Sequence, residues 1–102
     1  MRVMVFFDLP VVSKKQRRWA TQFRNFLLKD GFYMMQYSVY ARICNGVDSV
    51  ETHVKRVSKN KPEEGSVRIL TVTERQFENM IVLIGDVNYN DRPEQLQMTL
   101  FF

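Results

Sequence analysis

Residues 32–43 read FYMMQYSVYARI, and the fold turns on whether they make one strand or two. As one unbroken strand, Tyr33, Met35, Tyr37, Val39, Ala41 and Ile43 point one way, and Met34, Gln36, Ser38, Tyr40 and Arg42 the other. The run is about twice the usual strand length of 5–6 residues. A bend, or two strands meeting near Gln36–Ser38, is therefore expected. The second face is half polar, as an open sheet face or a subunit contact would be.

Upstream lies SKKQRRWATQFRNFLLKDG, residues 13–31. Ser13 with Gln16 three residues on is a capping-box pattern, and Gly31 is a natural stop. Trp19, Phe23, Phe26 and Leu27 form one apolar stripe at helical spacing, and Trp19 and the Phe residues read as core. The spacing predicts a helix over 14–29, whose other face carries Lys14, Arg17, Arg18 and Arg24, with Lys15 and Lys29 at its edges. Before it, VMVFF at 3–7 is apolar on both faces and reads as a central strand, ended by Asp8 and Pro10.

Downstream, Asn45–Gly46 signals a turn, and Val47, Val50, Val54 and Val57 give a weaker amphipathic helix over 47–60. Asp48 with Glu51, or Asn45 with Asp48, is the expected cap. SVRILTVT (66–73) is a strand with Val67, Ile69 and Thr71 on one face, and TERQFEN (73–79) a turn or single helical turn. MIVLIG (80–85) reads as a last apolar strand. The remainder is polar as far as Pro93; Leu96, Met98, Leu100 and Phe102 then alternate with Gln95, Gln97 and Thr99. Such a tail is expected to pair with a sheet edge, its own or a partner's.

Two helices alternating with strands predict a ferredoxin-like α/β sandwich, β-α-β-β-α-β. Its sheet is antiparallel with both helices on one face, and it has an extra C-terminal strand. Residues 1–85 would form the domain and 86–102 the tail. The uncovered sheet face asks for a second chain, most simply a two-fold homodimer.

The chain has 102 residues and 45% hydrophobic composition, enough for one domain with its own core. Its single cysteine, Cys44, excludes an intrachain disulfide and reads as packing. No signal-peptide pattern and no apolar run near the ~20 residues of a membrane span are present, so a cytoplasmic protein without membrane contact is expected. The net charge of +4 permits nucleic-acid binding.

Asp8 is the sharpest chemical candidate. Its alternatives are a turn cap or a hydrogen bond to the loop before the first helix, a salt-bridge partner, a metal ligand and a catalytic group. Lys14, Arg17, Arg18 and Arg24 are either a solvated face or phosphate contacts without sequence code. Lys55, Arg56, Lys59 and Lys61 form a smaller patch with the same ambiguity. His53 stands alone in a helix and reads as surface or packing rather than as a ligand. Tyr33, Tyr37 and Tyr40 read as core or interface rather than base-stacking groups. No glycine-rich phosphate loop, CxxC pair or nucleophile elbow occurs.

The strand ending FFDLP (6–10), the basic helix after it, the block MMQYSVYARICNG (34–46) and SVRILTVTERQF (66–77) resemble a small CRISPR-associated adaptation family, Cas-two (Cas2), in the variety accompanying type II systems. The most specific parts are Asp8 and the QYSVY stretch with Arg42. The resemblance implies a homodimer clamped by Cas-one integrase dimers, an assembly that inserts a short foreign DNA duplex into the CRISPR array as a new spacer. Some members of the family are also described as Mg²⁺-dependent nucleases acting on single-stranded RNA or duplex DNA, an activity that the adaptation role does not require. Asp8 would be the metal ligand and catalytic group of such a site, and a symmetry mate would supply a second Asp8. Arg42 joins Lys14, Arg17, Arg18 and Arg24 as a nucleic-acid-binding candidate. Leu96, Met98, Leu100 and Phe102 become candidates for binding the integrase or the second protomer. Two rival functions remain: an RNA-cleaving enzyme like the VapD toxins, whose turnover is its purpose, and a non-catalytic regulator binding RNA or a small ligand.

Overall fold

The stretch 32–43 is two strands. In the computed structural model, which describes residues 1–85, β2 (Tyr33–Gln36) and β3 (Val39–Ile43) pair antiparallel, with a bulge between Met34 and Gln36. The chain reverses at Tyr37–Ser38, where Ser38 adopts a left-handed φ of 64°. Such a φ is uncommon outside glycine and turns. The remaining elements are β1 (Arg2–Asp8), α1 (Lys14–Lys29), α2 (Val47–Asn60), β4 (Ser66–Val72) and α3 (Glu74–Glu78). The sheet order is β2-β3-β1-β4, every neighbouring pair antiparallel. That is the ferredoxin-like arrangement.

β1 lies between β3 and β4, which explains why its residues are apolar on both faces. Val3, Val5 and Phe7 point into the main core with Phe23 and Leu27 of α1 and Val57 of α2. Tyr40, Phe32 and Cys44 complete that core. Phe7 meets Phe23 edge-on, with ring centroids 5.2 Å apart. α1 begins and ends as its sequence dictates. The hydroxyl of Ser13 accepts the Gln16 amide N–H while the Gln16 side chain accepts the Ser13 N–H. At the other end Gly31 takes a φ of 91° and the Phe32 N–H returns to Leu27 O.

The opposite face of the sheet is divided. Met4 and Ala41 pack against Phe77 of α3, so this helix covers one end of a face expected to lie open. Arg2 fixes it there. Its side chain is 2% exposed, its Nε donates to Glu74 Oε1 at 2.8 Å, its Nη1 donates to Tyr33 Oη at 2.7 Å, and its guanidinium lies 4.4 Å from the Phe77 ring centroid. A buried charge persists only when paired in this way. The other end of the face, around Phe6, Asp8 and Arg68, remains uncovered among the described residues.

Three expectations change. α2 has Gly46 as its N-cap, with no side-chain cap from Asn45 or Asp48; Asp48 instead lies in the first turn, where the helix dipole favours an acid. Trp19 is only partly buried and lies beneath Lys15 Nζ, 5.0 Å from it, rather than in the core. Residues 80–85 are not a strand. An apolar run becomes a strand only beside a ladder partner, and no described residue of this chain supplies one. Ile81, Leu83 and Ile84 are instead 80%, 89% and 97% exposed. The tail with Leu96, Met98, Leu100 and Phe102 lies outside the described residues.

Candidate functional site

Asp8 is placed by alternation. Odd residues of β1 enter the main core, so even residues take the other face, and Asp8 is the last of them. It faces solvent. Its carboxylate makes no hydrogen bond or ion pair with any described residue, so it is neither a turn cap nor a salt-bridge partner there.

The register of β1 with β4 sets Asp8 opposite Ser66 and Phe6 opposite Arg68. Directly opposed residues share a face, and diagonal neighbours lie within reach of long side chains. Arg68 is therefore the diagonal neighbour of Asp8. From the other side, the β2–β3 turn folds onto the end of β1, where the Phe7 N–H donates to Ser38 O at 3.0 Å. A depression of about 300 Å³ results, lined by Phe6, Phe7, Asp8, Ser38, Val39, Ser66 and Arg68. Its polar groups are one carboxylate, two hydroxyls and one guanidinium.

Two loops frame Asp8, and they are tied together. Gly65, at φ 104°, approaches so closely that a Cβ there would lie 2.7 Å from Asp8 O and 2.9 Å from Leu9 Cδ2. Beyond Asp8, Gln16 Oε1 accepts from the Val12 and Ser13 N–H groups, both at 3.0 Å. Arg17 Nη1 donates to Val11 O at 3.2 Å and Val12 O at 2.8 Å. Gln16 Nε2 then reaches Glu64 Oε2 at 2.9 Å, one residue before Gly65. The chain leaving Asp8 and the chain entering β4 are thus held to each other.

The sequence-predicted cations separate. Lys14 and Arg18 are exposed and make no polar contact with the described residues. Arg17 is engaged with its own loop. Arg24, 3.5 Å from Thr21 Oγ1, lines a second depression of about 450 Å³ with Phe7, Met34, Tyr37, Ser38 and Tyr40. It thereby adjoins the Asp8 depression, sharing Phe7 and Ser38 with it. Arg42 lies elsewhere. Its guanidinium bonds Asp30 O and Ile43 O and stands 3.3 Å from His53 Nδ1, all within the protein.

His53 is not solitary. Its Nδ1 lies 2.7 Å from Asp30 Oδ2, and Arg56 Nη1 donates to Asp30 Oδ1 at 3.0 Å. Asp30 is the C-cap residue of α1, so this cluster joins α1, β3 and α2. Spacing gave no hint of it, since Asp30 and His53 lie 23 residues apart. Arg68 was also missed. The available signal was the alternation Val67, Ile69, Thr71, which leaves Ser66 and Arg68 on the other face.

Among the described residues no group of three or more His, Cys, Asp or Glu side chains could hold a metal ion. A protein-built cage is thus excluded there. A lone carboxylate beside hydroxyls, all hard oxygen donors, still suits a divalent cation such as Mg²⁺ that keeps most of its waters. No helix of the described residues is long and apolar enough to cross a membrane.

The family model described as CRISPR associated protein Cas2 matches residues 1–80. The CRISPR-associated endoribonuclease Cas2 of Acidovorax ebreus is 60% identical over 85 residues, 83% of each chain. That of Campylobacter jejuni is 43% identical over 102 residues, covering 99% of this chain and 71% of the relative. The crystal structure of Streptococcus pyogenes Cas2 at pH 6.5 superposes with a TM-score of 0.60 at 20% identity, covering 81% of this chain and 99% of that one; this likeness concerns the fold.

Proposed function

Because this chain belongs to the Cas2 family of CRISPR-associated proteins, we propose that it acts in CRISPR adaptation as a homodimer that grips nucleic-acid backbone and hydrolyses phosphodiesters at a Mg²⁺-dependent site built on Asp8. One observation carries the reading. Asp8 presents an exposed carboxylate, unpartnered among the described residues, at the open end of the sheet face. A carboxylate spent on neither a cap nor an ion pair is open to a ligand. The relatives bear the name endoribonuclease, so RNA is the first substrate class to test.

Asp8 would hold the ion, and Ser38 and Ser66 offer hydroxyls to the surrounding water. A bound divalent cation polarises a phosphodiester and acidifies water. Water adds to phosphorus, the bond to the leaving oxygen breaks, and that oxygen takes up a proton. A two-fold dimer through the open face would bring a second Asp8 to the same seam. Like charges there repel unless a cation or proton intervenes. Leu70 and Ile43 on this face, 52% and 49% exposed, support such a contact.

A second reading, an adaptor bridging Cas-one integrase dimers on duplex DNA, is favoured by α1. Its sequence KKQRRWATQFRNFLLK contains no acid, and its first turn is basic. Cations at a helix N-terminus oppose the macrodipole, and Lys14 and Arg18 make no polar contact with the described residues, so local stability does not account for these two. Contact with phosphates does, and it would suit any DNA sequence.

Reconstituted spacer integration and a nuclease assay, each with wild type and Asp8→Ala and in Mg²⁺ or chelator, separate the two. Cleavage and integration lost together, with the dimer intact, support the hydrolytic site as the function. Integration surviving while cleavage disappears supports the adaptor. Cleavage unchanged by Asp8→Ala and by chelator rejects the Asp8 site.

A further inference from the structure

We propose that Arg68 is the substrate-phosphate contact of the Asp8 depression, taking the non-bridging oxygens of a nucleic-acid phosphodiester beside Asp8. The proposal deepens, and rests on, the reading of Asp8 as a hydrolytic site.

The argument begins with the face on which Arg68 stands. Positions on this side of the sheet include Met4, Phe6, Val39, Ala41 and Leu70, all apolar. At its α3 end the polar residue Arg2 is buried and fully engaged with Glu74 and Tyr33. At the open end the polar residues are Asp8, Ser66 and Arg68, and they gather around one depression. Arg68 is exposed and makes no hydrogen bond or ion pair with any described residue.

The geometry between Arg68 and Asp8 is the second point. As diagonal cross-strand neighbours they are near enough for a long side chain to bridge them. They do not form an ion pair, although both line the same space of about 300 Å³. A guanidinium and a carboxylate that line one depression without pairing suit a ligand that carries both kinds of charge. A phosphodiester with an associated cation is such a ligand, its oxygens matching the guanidinium fork and the cation matching the carboxylate. The planar fork binds a phosphate in two places at once, which a lysine cannot do.

The test uses full-length protein, a labelled single-stranded RNA oligonucleotide and excess Mg²⁺, with Arg68→Ala, Arg68→Lys and Asp8→Ala compared with wild type. Arg68 is exposed on a strand, so circular dichroism and melting are expected to be unchanged. Arg68→Ala is expected to lower kcat/KM about tenfold. It should also reduce the slope of log affinity against log salt by about 0.7. Arg68→Lys should recover the salt slope but not kcat/KM. A dimer of unchanged mass completes the expected result. Wild-type kcat/KM and salt slope in Arg68→Ala, with Asp8→Ala inactive, would overturn the Arg68 assignment alone. Dissociation of the Arg68→Ala dimer also overturns it, since the side chain would then belong to the protomer interface. If no variant or wild type cleaves, the hydrolytic reading fails. The Mg²⁺-dependent binding arm then decides: an unchanged slope in Arg68→Ala rejects the phosphate contact, and a reduced slope retains it.

Discussion

Gly65 packs against the backbone of Asp8 so tightly that a Cβ at Gly65 would lie 2.7 Å from the Asp8 carbonyl oxygen. Its φ of 104° adds a second constraint, because side chains other than hydrogen are strained there. Gly65→Ala is expected to cost about 1–3 kcal/mol. In a domain of this size that lowers Tm by roughly 4–8 °C per kcal/mol. The carbonyl it meets belongs to the candidate metal-binding residue, so cleavage should fall further than the lost stability explains. Activity measured well below the lowered Tm checks this. Wild-type kcat/KM in a destabilised Gly65→Ala would show that the close approach serves the fold and not the site.

The bridge from Gln16 to Glu64 holds the same two loops through side chains. Gln16 also closes the capping box with Ser13, so its removal confounds two effects. A swap separates them. Gln16→Glu keeps an oxygen for the Val12 and Ser13 N–H groups but sets a carboxylate against Glu64. Its single variant should loosen residues 9–13, read as faster amide exchange at Val12 and Ser13. Adding Glu64→Gln restores a donor opposite an acceptor and should restore protection. Equal exchange in the single and double variants would mean that the bridge carries no constraint.

Much of this layout is legible in the sequence where the governing interactions are local. α1 is read correctly at both ends because Ser13, Gln16 and Gly31 act within a few residues of the termini. The division of 32–43 follows from a strand that is too long and from polar residues at its centre. Asp8 is visible as the last member of an alternating strand. Arg68 is not, because its relation to Asp8 exists only through the β1–β4 register, across most of the domain. Residues 80–85 have a strand-like composition, yet 81–85 are exposed and unpaired; composition does not reveal whether a ladder partner is present. Arg2 shows the same limit, since its partners Tyr33, Glu74 and Phe77 come from two later elements.

The Asp30 cluster is the largest feature hidden from sequence reading, and its removal is predicted to be costly. The side chains of Asp30 and His53 are 9% and 10% exposed, and the carboxylate also receives Arg56. Removing Asp30 leaves the largely buried His53 ring without its hydrogen-bond partner, a loss of about 1–3 kcal/mol. Asp30→Ala should approach the lower part of that range, since Arg56 is half exposed and returns to water. Arg56→Ala should cost less than Asp30→Ala. Urea unfolding of the two variants decides the order, and the reverse order would show that the cluster is not centred on the carboxylate. Nucleic-acid binding supplies an independent reading of Arg42: Arg42→Lys should lower stability with little change in the salt dependence of binding, because its guanidinium is engaged by Asp30 O and Ile43 O. A reduced salt slope at unchanged stability would return Arg42 to the phosphate contacts.

Residues 81–84 bear on whether the site works as one chain or two. Ile81, Val82, Leu83 and Ile84 are 80%, 45%, 89% and 97% exposed. Water-exposed apolar side chains in one short run favour association, at about 25 cal/mol for each Å² covered. They follow directly on Met80, which packs against the cluster of Met4, Ala41 and Phe77, so the run leaves the sheet from a fixed point. The tightly held Arg2–Glu74 pair supports that point through α3. A second copy of the chain is the partner that the proposed dimer requires. Leu83→Asp should therefore leave the fold intact, because its side chain is almost wholly exposed, while raising the dimer dissociation constant at least about tenfold, the effect of one buried apolar anchor. Sedimentation equilibrium measures the constant, and circular dichroism controls for folding. If two copies of Asp8 form one site, cleavage at low protein concentration should fall with the dimer and return at high concentration. Cleavage that tracks the monomer concentration would mean that one Asp8 suffices.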